Sequence, residues 1–331
     1  MLPRPLPYIG AMAERSRGAP DTIGALNRTT GNRRALGALL TGALLIALAP
    51  IFVRISETGP TATGFWRLAL AAPVLIAWDG ARHARTGSVP AWRLKRAELG
   101  LLATAGVCFA GDLAAWHTSI ELTSVANATL LANAAPIFVA AAAWAWLGER
   151  PTVRFATGLA LAIAGGFLLA RASAGATPAR LAGDALGLLT AVFYAGYMLA
   201  VKVLRARQAT SAVMAGSSLI GALALFPLAF ALGETMLPAT LGGWAVLIAL
   251  ALLSQVLGQG LIAWALGHLT ASFSALGLLT QTAAAAALAW ILFGESFTVL
   301  QSIGIILVAA GLVVAHVTET APPLAHKRPS V

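Results

Sequence analysis

Of the twelve acidic residues in this chain, Asp112 alone falls well inside a long apolar run. A carboxylate in such a place needs a cation, a proton or a basic partner, because an isolated buried charge is costly. Arg67, in the apolar run before it, lies at a similar depth. Counted at 1.5 Å per residue from the same membrane face, Asp112 sits roughly 12 Å in from Ile120 and Arg67 roughly 9 Å in from Thr61. The two can form a buried ion pair that locks their segments together. Alternatively, Asp112 can bind a substrate ammonium group or a coupling proton. Trp116 follows Asp112 by four residues and shares its helix face. His117 is turned away by roughly 140°; near its ordinary pKa of ~6.5 it could sense pH, or it could simply finish a helix. With no second histidine or cysteine at ligand spacing, no metal site is expected, and no cofactor is implied.

Amides, hydroxyls and aromatic rings recur in the other apolar runs. Asn127, Thr129 and Asn133 precede Pro136, with Thr129 and Asn133 on one face. Proline frees a backbone carbonyl, which is tolerated where a helix lines a cavity. Gln255 and Gln259 repeat the four-residue spacing, Tyr194 and Tyr197 lie one turn apart, and Gln281 stands in a later run. Polar amides in membranes also serve as interhelical glue. As a lining, this set suits a zwitterionic or weakly polar solute, an aromatic one included. A phosphate ester would call for several inward arginines or lysines. Lys202 is expected to snorkel from the end of its run to the surface.

The elements that must position these residues are membrane helices. The chain has 331 residues, of which 59% are hydrophobic and 10% charged, with mean hydropathy +0.82. A soluble domain carries about 25% charged residues. The apolar runs have the ~20 residues that cross a bilayer as a helix. Ten spans are expected, over residues 35–53, 61–78, 98–118, 123–147, 152–170, 183–204, 212–232, 241–266, 272–293 and 298–317. Of the 22 basic residues, all but Arg54, Arg67, Arg171 and Arg180 fall on one side of this arrangement. Positive loops stay in the cytoplasm, so both termini are placed inside. The net charge of +10 is thus a topology signal, and no nucleic-acid partner is expected. Residues 1–34 lack the apolar core of a signal peptide and read as a cytoplasmic tail. The single cysteine, Cys108, rules out an intrachain disulfide.

One passage occurs twice. Trp144 to Thr152, with Gly148-Glu149 inside it and Gly158 and Gly165 after it, returns as Trp290 to Thr298, with Gly294-Glu295, Gly304 and Gly311. The repeated Gly-Glu turns read as helix junctions, and the glycines, seven apart, as close-packing faces. The chain therefore divides into a tail (1–34), a first five-helix repeat (35–170), a linker (171–182), a second repeat (183–317) and a tail (318–331). Because five is odd, the second repeat enters the membrane from the opposite side. Inverted repeats around a central site are the architecture of alternating-access transporters.

The stretch from Leu122 through Asn127, Asn133, Pro136 and Phe138, with Trp146-Leu147-Gly148-Glu149-Arg150 and Gly158 to Gly166, resembles the EamA domain of the drug/metabolite transporter superfamily. Leu269-Thr270-Ala271-Ser272 through Gly294-Glu295 to Gly311 looks like its second copy. The resemblance spans residues 35–317. It implies an all-α integral membrane protein of ten helices in two inverted repeats. It also implies export of small metabolites or amino acids across the bacterial inner membrane. In that family spans one, three, four, six, eight and nine surround the cavity, and five and ten lie at an edge. Two departures stand out. Thr282 replaces the second copy's proline, beside Gln281, and no acid occurs between Arg34 and Glu57, where small multidrug relatives carry a coupling glutamate.

The expected function is secondary export of a small organic solute, not catalysis. The driving force is the proton gradient or the solute's own gradient, since no nucleotide-binding P-loop pattern is present. The implied partners are the solute, the lipid bilayer and, as coupling ion, protons, with the chain acting as a monomer or weak homodimer. Rival readings are a multidrug extruder of the same fold, a metabolite importer, an intramembrane enzyme built on Asp112 and His117, and a non-transporting scaffold. Glu57 and Glu121 mark outer loops.

Overall fold

The computed structural model describes residues 22–86, 95–123, 125–132, 134–147, 152–171 and 178–271, with most side chains from residue 33 on, and scattered helical positions from there to residue 314. Among these, every regular element is helical. Six stretches are long and apolar enough to cross a bilayer: Arg33–Arg54, Pro60–Thr86, Arg96–Leu122, Leu181–Arg205, Thr210–Ala231 and Leu241–Leu266. They fall on the expected spans one, two, three, six, seven and eight. Shorter apolar helices cover Ala135–Ala145 and Val153–Gly165, within expected spans four and five. The repeated Gly148-Glu149 and Gly294-Glu295 turns lie outside the described residues.

Two spans are broken at prolines. The first comprises α1 (Thr22–Ile46) and α2 (Ala49–Arg54), with Pro50 in the first turn of α2. Proline has no N–H to return to the residue four before it, so the helix must restart there. The Leu45 carbonyl left at the break accepts from the Leu48 N–H at 3.4 Å and from the Ser254 hydroxyl at 3.3 Å. The stretch expected as span four holds α5 (Val125–Ala132) and α6 (Ala135–Ala142), with Pro136 opening α6; α6 runs on into wide π turns over Ala143–Leu147.

The unbroken elements are α3 (Pro60–Thr86), α4 (Arg96–Leu122), α7 (Val153–Arg171), α8 (Pro178–Arg205) and α9 (Thr210–Ala231). The eighth span starts as α10 (Leu241–Ala249), widens into π turns over Leu250–Gln259 and ends as α11 (Gly260–Leu266). Helix α8 begins at Pro178, inside the stretch read as a linker.

Helices from the two halves of the sequence interleave. Helix α4 lies along α8 over the most extensive contact of the fold, and α3 along α9. Glycines allow the close approach: a β-carbon on Gly111 would lie 2.9 Å from the Phe193 ring, and one on Gly196 would lie 2.9 Å from the Cys108 sulfur. Helix α1 crosses the π segment in the same way, with Gly42 against the Gly258 carbonyl. In hydrocarbon, where no hydrophobic drive holds helices together, such contact is what packs them. Gly158 and Gly165 are buried on α7 while Ile163 and Phe167 beside them are exposed. Gly304 and Gly311 are likewise buried. Elsewhere Leu223, Phe226 and Phe230 of α9 face outward, as lipid-facing residues do.

One end of the bundle is tied by polar groups that the sequence reading placed otherwise. Helix α3 continues past its expected end, so Asp79 is inside it and buried, with 3% exposure. Its carboxylate accepts from Arg82 at 3.0 Å and from the Ser211 hydroxyl of α9 at 2.8 Å. Lys202 does not simply snorkel. Its ammonium donates to the carbonyls of Leu266, at 3.0 Å, and Leu269, while Arg205 donates to the Ala263 carbonyl at 3.1 Å. Cations at a helix C-terminus satisfy its last carbonyls and oppose its dipole.

At the other end, Glu57 accepts from the backbone N–H of Thr240 at 2.9 Å and from its hydroxyl. These donors hold the Glu57 carboxyl below the usual carboxylate range.

Two outcomes follow. Gly42→Val should lower stability by about 1–3 kcal/mol through overpacking, whereas Gly37→Ala, with open space around it, should be silent; thermal unfolding in detergent compares them. For Glu57, a depressed pKa means its contribution is present above the ordinary carboxylate pKa and lost only as pH falls through the depressed value. Hydrogen exchange at residues 55–60 and 238–243 should therefore stay slow at pH 5 and rise in stronger acid.

Candidate functional site

A single face of α4 supplies Phe109, Asp112, Leu113 and Trp116, spaced three, four and seven residues apart. They form one wall of a cavity among the helices. Helix α3 brings Arg67 to it, seven residues from the start of that helix, and the broken end of α1 brings Ile46. The proline break between α5 and α6 contributes Thr129, Ala132, Ala135 and Pro136. Opposite, α8 presents Thr190 and Tyr194 one turn apart, the π segment ends on Gln259, and Gln281 completes the lining. The cavity is thus built from both halves of the sequence. Its volume is about 60 Å³, enough to hold water.

Arg67 and Asp112 share this cavity without forming a salt bridge. Arg67 is 2% exposed and Asp112 7%. The guanidinium donates instead through Nε to Gln255 Oε1 at 3.1 Å, and its Cζ lies 5.7 Å from the centre of the Phe109 ring. A cation over an aromatic face is stabilised by about 0.5–2 kcal/mol. Gln255 in turn donates to the Ser218 hydroxyl of α9 at 3.1 Å. One hydrogen-bonded chain therefore crosses from α3 through the π segment to α9. It occupies Nε, and among the described residues the two terminal nitrogens of Arg67, a lining residue of the cavity, carry no hydrogen bond. Among the described residues the Asp112 carboxylate has no hydrogen-bond partner, and it lines the same space.

Other expected residues take distinct places. Gln259 lines the cavity and donates to the Tyr194 hydroxyl at 3.5 Å. Gln255 and Tyr197 stand one layer behind. Tyr197 is fully buried, stacked on Phe109 at 4.4 Å, with its hydroxyl toward the Met214 sulfur at 3.6 Å. The Trp116 indole N–H and the Thr129 hydroxyl are buried without partners. Asn133 and the side chain of Asn127 lie outside the described residues. His117 is fully buried away from the cavity. Its Nδ1–H donates to the Pro60 carbonyl at 2.9 Å, since a carbonyl can only accept; it ties the end of α4 to the start of α3. Asp112 and His117 therefore do not converge on a common point.

Sequence reasoning passed over Phe109, Thr190 and Ile46. Thr190 carries a signal in hindsight, at i, i+4 and i+7 with Tyr194 and Tyr197. Phe109 does not, because an aromatic on an apolar face reads as core. Among the described residues, no group of three His, Cys, Asp or Glu side chains is placed to hold a metal.

The description of the EamA-like transporter family matches residues 33–171 and, a second time, residues 181–316. The chain belongs to the EamA-like transporter family. It is a multi-pass membrane protein and a transporter. Among curated proteins it is similar to the pseudopaline exporter CntI of two Pseudomonas aeruginosa strains, UCBPP-PA14 and PAO1. Each is 26% identical over 226 residues, 68% of this chain and 78% of the relative. A solved crystal structure superposes on 88% of this chain and 99% of its own with a TM-score of 0.67 at 19% identity, a likeness of fold.

Gln255→Ala should strand the Arg67 Nε donor and the Ser218 hydroxyl together. The expected loss is about 1–3 kcal/mol, read by thermal unfolding in detergent. Ser218→Ala should cost less, since it leaves the bond to Arg67 in place.

Proposed function

We propose that this chain is a secondary transporter that exports a small organic metabolite bearing both an ammonium and a carboxylate group, an amino acid or related solute, by alternating access. The observation that carries this reading is the pairing of two unspent charges in one cavity. Arg67 offers its terminal nitrogens, and Asp112 offers a carboxylate that no side chain among the described residues satisfies. A zwitterion supplies the missing partner to each. Its carboxylate can take the planar fork of the guanidinium and its ammonium the acid.

The cavity is lined from both halves of the sequence. Movement of the halves would open it. The exporter among the curated relatives supports the outward direction. Ten spans in two inverted repeats, termini in the cytoplasm, residence in a bacterial inner membrane, protons as coupling ion and a monomeric or weakly dimeric state complete the proposal.

A second reading, extrusion of aromatic cations, is favoured by the Phe109, Trp116 and Tyr194 walls around one acid. The Arg67 charge opposes it.

Proteoliposome counterflow with a panel of amino acids and aromatic cations, with and without a pH gradient, separates the two. Arg67→Lys should raise the half-saturation concentration for a carboxylate-bearing solute about tenfold or more. Asp112→Asn should abolish its transport, or remove the dependence on the pH gradient if Asp112 carries the proton. Normal transport by both folded variants, or counterflow of cations alone, would overturn the zwitterion reading.

A further inference from the structure

At the end of the bundle where α3 and α10 begin, the two halves of the sequence exchange caps. Glu57, in the loop before α3, sits on the start of α10: its carboxylate takes the N–H of Thr240 at 2.9 Å together with the Thr240 hydroxyl. Glu234, in the loop before α10, sits on the start of α3 and takes the N–H of Ala62 at 2.8 Å. Each glutamate thus places its charge on the positive end of a helix from the other half.

The exchange is reciprocal in its steric detail. A β-carbon on Gly59 would lie 2.5 Å from a Glu234 carboxylate oxygen, and one on Gly243 would lie 2.5 Å from a Glu57 carboxylate oxygen. Each acid therefore seats in a notch that only glycine leaves open. Around the pair, the Gly59 N–H donates to the Thr235 carbonyl at 3.0 Å and the Trp66 indole to the Met236 carbonyl at 2.6 Å. The Trp66 and Trp244 rings meet edge-on at 5.0 Å.

These contacts join one element that lines the cavity to another that leads into the π segment beside it. Helix α3 leads from the Glu234 cap to Arg67, the next residue after Trp66. Helix α10 leads from the Glu57 cap into the π segment that carries Gln255 and Gln259.

We propose that Glu57 and Glu234, seated on Gly243 and Gly59, form a reciprocal latch that closes the central cavity at this end and must part for the cavity to open there. The latch rests on the transporter reading for its purpose, but not for its detection. Side-chain oxygens against backbone N–H groups, beside one edge-on Trp66–Trp244 contact, suit a contact that re-forms on every cycle.

The test uses the full-length protein in oriented proteoliposomes, with Thr129→Cys as a cavity reporter in a Cys108→Ser background and a membrane-impermeant maleimide as probe. Glu57→Gln combined with Glu234→Gln should raise the labelling rate from the latch side about tenfold and leave or lower it from the other side. Gly243→Ala, which expels the Glu57 carboxylate from the opposite partner, should reproduce the effect of Glu57→Ala, and the two combined should add nothing further. Thr240→Val, removing one donor, should give a smaller increase. Unchanged labelling in the folded double glutamine variant, or full additivity of Gly243→Ala with Glu57→Ala, would overturn the latch. Labelling needs no transported solute. Faster labelling in a protein that moves no solute would uphold the latch and remove the transporter reading, and the converse result would do the reverse.

Discussion

A guanidinium held in a low-dielectric interior is the constraint around which this bundle is organised. Arg67 cannot lose its proton and cannot be left unsolvated. The fold meets that demand with groups from several segments: the Gln255 amide at Nε, the Phe109 ring beneath the carbon, and cavity space at the terminal nitrogens. Gln255 stands in the π segment, where wide turns displace side chains from α-helical register. π turns often occur at functional positions, and here they lead the eighth span to one amide behind the cavity and another on its wall.

The halves of the chain are less separable in space than in sequence. The repeat read from Trp144 to Gly165 and Trp290 to Gly311 suggests two units side by side. The described residues show α4 against α8 and α3 against α9, with glycines at the crossings. A cavity lined by Asp112 and Trp116 on one side and Tyr194 and Gln259 on the other follows from this interleaving. A solute bound there touches both halves, as a site that responds to their relative motion must.

Much of this was legible in the sequence because hydrocarbon enforces simple rules. For expected spans one, three, six, seven and eight the apolar runs ended within a few residues of the helices described, and helical spacing put Asp112 and Trp116 on one wall. What failed to show was whatever depends on a partner far away in the chain. Asp79 looked like a residue beyond a span because hydropathy falls before the helix ends; Ser211 makes its burial tolerable. Lys202 resembled a snorkelling cation, since nothing local announces the carbonyls of Leu266 and Leu269. Glu57 resembled an ordinary loop acid and Glu234 drew no notice, because their partners lie 183 and 172 residues away. The distinction between Gln259 on the cavity wall and Gln255 behind it rests on π geometry, which a 3.6-residue period does not contain.

The lengths of α3 and α4 have a consequence for the lipid around them. Each has 27 residues and so extends about 40 Å, against a hydrocarbon layer of about 30 Å. The excess carries polar groups at one end, where Asp79, Arg82 and Ser211 meet and Gln208 donates to Glu98 at 3.2 Å. These groups form a collar that belongs among headgroups. A bilayer of greater thickness would draw the collar toward hydrocarbon, and a thinner one would leave apolar surface uncovered. The thickness of the host membrane is therefore a mechanical load on the same helices that carry Arg67 and Asp112.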